Sequence, residues 1–153
     1  MMVTAWRIVA TRLASGAFSG EGARRDGGRW NSPGVRMVYT AGTISLALLE
    51  ILVHLNTGDP IPSYSRCSVR FDDSLLVPLD SKQLPRNWRQ SPTPAAVRAL
   101  GDQWIASRRS AVLKVPSAVV EEESNYLINP AHADFRLVEI GKFQPIRLDP
   151  RLL

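Results

Sequence analysis

The chain holds one cysteine, Cys67, and two histidines, His54 and His132, in 153 residues. A lone cysteine excludes a disulfide framework within the chain, and a reducing compartment is its natural setting. Three soft ligands cannot build a four-ligand Cys/His zinc site, although a mixed carboxylate site stays open. Long apolar runs are missing as well. The most apolar stretch, Ile44 to Leu55, contains Glu50 and His54 and is too short to span a bilayer. Met1 to Arg7 lacks the apolar core of a secretory signal. A soluble, cytoplasmic protein without a membrane partner is the expectation. Two phosphate-loop patterns also fail. Gly20-Glu21-Gly22-Ala23-Arg24-Arg25 has Arg25 where a dinucleotide fingerprint needs its third glycine. Gly141-Lys142 has neither the upstream glycine nor the following hydroxyl residue of a P-loop. Any nucleotide would have to be bound by another architecture.

What is present is an ordinary globular composition, 44% hydrophobic and 22% charged, at a length that suits one domain over 1–153. The net charge of +5 lies in two separated basic blocks, residues 1–40 and 81–120, with no run of four basic residues. That distribution favours one or two anion sites over a nucleic-acid surface, so no direct nucleic-acid partner is expected. Arginine outnumbers lysine 16 to 3. Coding bias accounts for such an excess, and so does phosphate recognition by the guanidinium fork.

The alternation of Val3–Ala10 and of Tyr64–Phe71 predicts strands, with Cys67, Val69 and Phe71 on one face. Further strands are expected at 35–40, 75–79 and 111–115. Another two, 135–140 and 143–148, should form a hairpin through Gly141-Lys142. Thr43 or Ser45 caps a buried helix to about Leu55. Thr93-Pro94 starts an amphipathic helix to Arg108, with Val97, Leu100 and Trp104 on its inner stripe. Residues 15–34 form a long glycine-rich loop. This order of elements points to a single α+β domain rather than a doubly wound sheet.

Three places carry chemistry. In Gly27-Gly28-Arg29-Trp30-Asn31, the glycines permit close backbone approach and Arg29 can clamp a diphosphate. A solvated turn anchored by Trp30 explains the same residues. Glu50 is a carboxylate in an otherwise apolar helix, which is costly unless it is paired or lines a cleft. A structural pair with His54, one turn on, competes with a pocket carboxylate that stabilises developing positive charge. Ser124, in Ser124-Asn125-Tyr126-Leu127-Ile128-Asn129-Pro130, lacks the surroundings of a hydrolase nucleophile and is either a hydrogen-bonding contributor or a turn serine.

Taken together, Arg29 in its Gly-Gly-Arg-Trp-Asn loop, Glu50 after Leu-Ala-Leu-Leu and Ser124 before Asn-Tyr-Leu-Ile-Asn-Pro resemble the RES domain, a family named for its Arg, Glu and Ser. Trp6-Arg7-Ile8, Phe18-Ser19-Gly20, Val38-Tyr39-Thr40 and His54 add to the likeness, which runs from about residue 5 to 145. The resemblance implies an ADP-ribosyltransferase-like α+β fold with split antiparallel sheets around an NAD cleft. It further implies the toxin half of a toxin–antitoxin pair that depletes NAD by hydrolysis or phosphorolysis. Transfer of ADP-ribose to a protein is the alternative, and a basic nucleic-acid-binding toxin is a less favoured third reading. Arg29, Glu50 and Ser124 become the named catalytic residues. Arg7, Tyr39 and Asn125 join Arg29 and Ser124 around the dinucleotide. NAD is the substrate, no metal is expected, and an Xre-type helix-turn-helix antitoxin blocking the site in a hetero-oligomer is the implied partner.

Overall fold

The computed structural model describes all of residues 1–153. Its strands are β1 (Met2–Ala10), β2 (Val38–Ala41), β3 (Tyr64–Asp72), β4 (Leu76–Pro78), β5 (Val112–Pro116), β6 (Ser124–Ile128), β7 (Glu139–Ile140) and β8 (Gln144–Ile146). They form a sheet in the order β4-β5-β6-β2-β1-β3-β7, with β8 also paired to β3. Only β4 and β5 run parallel. The helices are α1 (Glu21–Asp26), α2 (Ile44–Leu52) and α3 (Ala95–Ser107). This is the α+β fold with a divided antiparallel sheet.

The division falls between β1 and β2, which share a single register pair, Trp6 with Ala41. β1 runs on with β3 over nine pairs, while β2 follows β6. Where the two diverge, the Arg7 side chain replaces the missing ladder, donating from Nη1 to the Tyr39 carbonyl (2.9 Å) and from Nε to that of Ala17 (2.8 Å).

Period-2 burial sets the core. In β3, Cys67, Val69 and Phe71 are buried and alternate with Arg66, Ser68 and Arg70. Helix α3 lays Val97 and Trp104 on Leu113, Val115 and Leu127, and truncating a tryptophan packed in this way costs about 3–5 kcal/mol. Helix α2 places Leu46 and Ala47 on Ile8, Ala41 and Tyr64. Its N-cap is Thr43, whose hydroxyl accepts from the Leu46 N–H at 3.0 Å.

Five expectations change. Of the strand expected at 135–140 only Glu139–Ile140 forms, because Ala133–Leu137 is a 3-10 turn with His132 as its N-cap. Helix α2 ends at Leu52 and is buried on one side only, with Leu49 and Val53 exposed. Pro94, not Thr93, is the N-cap of α3. The glycine-rich segment contains α1. No hairpin forms through Gly141-Lys142, because β7 and β8 both join β3 instead of each other. An isolated ribbon gains little, whereas the long edge of β3 accepts both short strands, and the Gly141 N–H donates to the Ser68 carbonyl at 2.8 Å.

Candidate active site

Glu50 stands on the side of α2 that faces the end of β6. Its Oε1 accepts two hydrogen bonds, from Ser117 Oγ and from Asn125 Nδ2, each at 2.9 Å. Both donors are fixed. Ser117, fully buried after β5, accepts from the Val119 and Val120 N–H groups at 3.0 Å, so its only proton goes to Glu50. Asn125 is carried by β6 between Ala41 and Val115. Glu50 Oε2 takes no hydrogen bond from the chain, and Glu50 lines the large cavity. Burial leaves Asn125 Oδ1 without a donor, an arrangement that costs about 1–3 kcal/mol.

Arg29 lies across the cleft. A bridge between Gly28 and Asn31 makes a tight turn with Arg29 and Trp30 at its tip. Trp30 enters the core beside Trp88, ring centroids 6.2 Å apart, and Arg29 faces the cavity. Helix α3 presses on this turn. A Cβ on Gly101 would come within 1.6 Å of the Trp30 carbonyl oxygen, so only glycine fits there. One residue on, the Asp102 carboxylate accepts from Ser32 N (2.9 Å) and Ser32 Oγ (2.6 Å). From the other side, the Tyr39 hydroxyl accepts from Trp30 N at 3.1 Å and donates to Asn31 Oδ1 at 2.5 Å. Arg29 Nη1 donates to the carbonyls of Trp88 (2.8 Å) and Gln90 (3.1 Å), tying the turn to segment 85–93. Arg89 anchors the same segment to the Ala118 carbonyl and Glu121.

The cavity between these walls measures about 1110 Å³, at the upper end of small-molecule sites, and it is lined by Arg7, Arg29, Tyr39, Glu50, Arg98 and Asn125 among others. Burial pulls the Arg7 guanidinium down to about 10, still charged at neutral pH, and no carboxylate pairs with it. Burial also lowers Arg29, opposed by the nearby Glu50 charge. Tyr39 is pushed above the usual phenol range by burial and keeps its proton as a donor. The arrangement offers a fixed carboxylate with one free oxygen in a cavity that the guanidinium groups of Arg7, Arg29 and Arg98 also line. No three His, Cys, Asp or Glu side chains cluster to hold a metal ion.

The structure brings Arg7, Arg29, Tyr39, Glu50 and Asn125 to one cavity. It does not bring Ser124 there. Adjacent strand residues face opposite ways, so with Asn125 turned to the cavity Ser124 turns away; its hydroxyl makes no hydrogen bond, while its backbone pairs with Pro116 and its carbonyl accepts from Gly42 N at 2.9 Å. The hydroxyl on Glu50 belongs to Ser117, which sequence reasoning passed over. Its signal was a serine at the end of a buried strand, in Pro116-Ser117-Ala118. Arg98 was also missed. It lines the cavity one helical turn before Asp102 and makes no ion pair. His54 lies beyond α2, exposed at the cavity's edge, and Glu50 pairs with Ser117 and Asn125 in its place. Most of the arginines are exposed, and part of the basic character is spent on the fold. Arg7, Arg29, Arg36 and Arg89 all direct their forks at backbone carbonyls.

Comparisons with known proteins bear on the family and the fold. The model of the RES domain family matches residues 4–149. A Yersinia enterocolitica protein named Toxin Res is 37% identical over 149 residues, spanning 96% of this chain and 97% of its own. A Sphingobium protein named Prs ADP-ribosylating toxin is 38% identical over 159 residues, spanning 100% of this chain and 98% of its own. Among solved structures, a chain of the M. tuberculosis MbcT-MbcA toxin-antitoxin complex superposes with a TM-score of 0.77 at 17% identity, covering 95% of this chain and 85% of that one.

Proposed function

The chain belongs to the RES domain family, and from that premise we propose that it is the toxin of a toxin–antitoxin pair and depletes NAD by breaking the nicotinamide–ribose bond. The observation that carries this reading is the divided carboxylate of Glu50, with Oε1 held by Ser117 and Asn125 and Oε2 left to the cavity. Cleavage of an N-riboside passes through an oxocarbenium-like state, as glycoside cleavage does. The bond pair leaves with nicotinamide, which is already cationic in NAD and departs neutral, so no general acid is required. Glu50 Oε2 accepts a ribose hydroxyl and faces the positive charge that develops on the sugar. Ser117 and Asn125 keep the carboxylate from swinging away. Arg29, with Arg98 on the neighbouring helix, takes the pyrophosphate, and Arg7 adds positive charge to the cavity wall. Tyr39 lends a ring to the cavity while its hydroxyl holds the Arg29 turn. Ser124 serves through its backbone, joining β6 to the start of α2.

An acceptor then attacks the ribose carbon. Water or phosphate as acceptor makes the chain a glycohydrolase or phosphorylase acting on the cytoplasmic NAD pool. A protein side chain makes it an ADP-ribosyltransferase, the reading favoured by the name of the Sphingobium relative. The antitoxin, of the Xre helix-turn-helix type, covers the cleft mouth, where Leu13 and Val53 are 51% and 57% exposed. No helix is long and apolar enough to cross a membrane.

Incubating the purified chain with NAD, with and without phosphate, and separating the products by mass tests the reaction. Nicotinamide plus ADP-ribose or its 1″-phosphate is expected. NAD left intact under every condition, with cell extract added to supply protein acceptors, contradicts the proposal. Label from the adenylate moiety of NAD appearing on a protein band identifies transfer.

A further inference from the structure

Asn125 holds an acceptor that the fold does not use. Its Nδ2 donates to Glu50 Oε1 at 2.9 Å, and that bond sets the amide's orientation, because an ionised carboxylate only accepts and cannot face Oδ1. Oδ1 is therefore turned away from Glu50, buried and without a donor, on a residue only 8% exposed in the cavity wall. The nearby donors are taken. The single proton of Ser117 is on Glu50, and the flanking backbone of β2 and β5 is paired with β6. An unsatisfied buried polar atom calls for an explanation, and on a residue of a substrate cleft a donor brought by the substrate supplies one.

If NAD is the substrate, its nicotinamide riboside half supplies a carboxamide N–H and two ribose hydroxyls. The hydroxyl beside the reacting carbon goes to Glu50 Oε2. Its cis neighbour on the ring lies within hydrogen-bond distance of it, a spacing that suits two acceptors on side chains that are themselves hydrogen-bonded. We propose that Asn125 Oδ1 accepts a hydrogen bond from the 3′-hydroxyl of the nicotinamide ribose. Asn125 and Glu50 together then select N-ribosides with an unmodified vicinal diol. This assignment rests on the NAD reading above and extends it to substrate selection.

The test compares kcat/KM for NAD with that for the analogue lacking the 3′-hydroxyl on the nicotinamide ribose, in the wild type and in Asn125→Ala. The ratio within each protein cancels differences in folded fraction and in Glu50 support, which act on both substrates alike. The wild type should prefer NAD by about tenfold or more, as expected of a site built around a substrate hydroxyl. Asn125→Ala should bring that preference to within about twofold while lowering both rates. Equal use of the two substrates by the wild type, or an unchanged ratio in Asn125→Ala, overturns the assignment. So does a preference for carboxamide over carboxylate in the nicotinamide ring that disappears in Asn125→Ala, since Oδ1 would then belong to the carboxamide. A wild type that leaves NAD intact removes the underlying reading together with this one.

Discussion

On one wall of the cleft, Glu50 receives Ser117 and Asn125 on a single oxygen and presents the other to the cavity. On the opposite wall, Arg29 gives one nitrogen to the carbonyls of Trp88 and Gln90, so that the turn carrying it and segment 85–93 hold each other. The carboxylate wall is organised before any ligand arrives, through groups whose remaining hydrogen bonds are local. The guanidinium wall combines two tasks, since Arg29 supports the structure as well as presenting charge. The difference teaches where function and stability separate: loss of the free oxygen affects chemistry, and loss of Arg29 affects the shape of the cleft.

That contrast orders the expected effects. Glu50→Gln keeps the size and the contact with Ser117 but removes the negative charge. NAD turnover should fall by about 10²–10³-fold, with the circular dichroism spectrum unchanged. Ser117→Ala leaves Glu50 with one donor and strips the Val119 and Val120 N–H groups of their acceptor. It should cost about 1–3 kcal/mol in denaturant unfolding and lower kcat by about tenfold. Arg29→Lys keeps the charge but not the fork. An increase in KM of about tenfold with kcat changed less than about threefold would mark it as a binding and wall residue, whereas an equal loss in kcat would place it with Glu50. Tyr39→Phe frees the Arg29 turn from one side, and a stability loss of about 1 kcal/mol by thermal melting is expected. Ser124→Ala, outside the cavity, should stay within about 0.5 kcal/mol of wild type and retain full turnover.

Much of the fold was readable because the signals were local. Strict alternation marked β1 and β3 to within a residue or two, and Val97, Leu100 and Trp104 marked the inner stripe of α3. The fate of 135–148 was not readable. A glycine-lysine step between two apolar runs is a good local hairpin signal, but the edge of β3 competes for both runs, and that edge is formed by residues about 70 to 80 positions away. Glu50 stood out because a carboxylate among leucines needs a partner or a cleft, and it has both. Ser124 and Ser117 show the limit of motif reading. Once Asn125 is assigned to the cavity, strand periodicity excludes its neighbour from the same face, a constraint already present in the sequence. That Ser117 meets Glu50 was not, because the contact joins the end of β5 to α2 across 67 positions.

NAD consumption measured side by side for the purified wild type, Glu50→Gln and Ser124→Ala tests the central claim most directly. The account predicts rapid loss of NAD with wild type and Ser124→Ala and almost none with Glu50→Gln. Equal consumption by Glu50→Gln and wild type, or a loss confined to Ser124→Ala, would contradict the assignment of the chemistry to the Glu50 carboxylate.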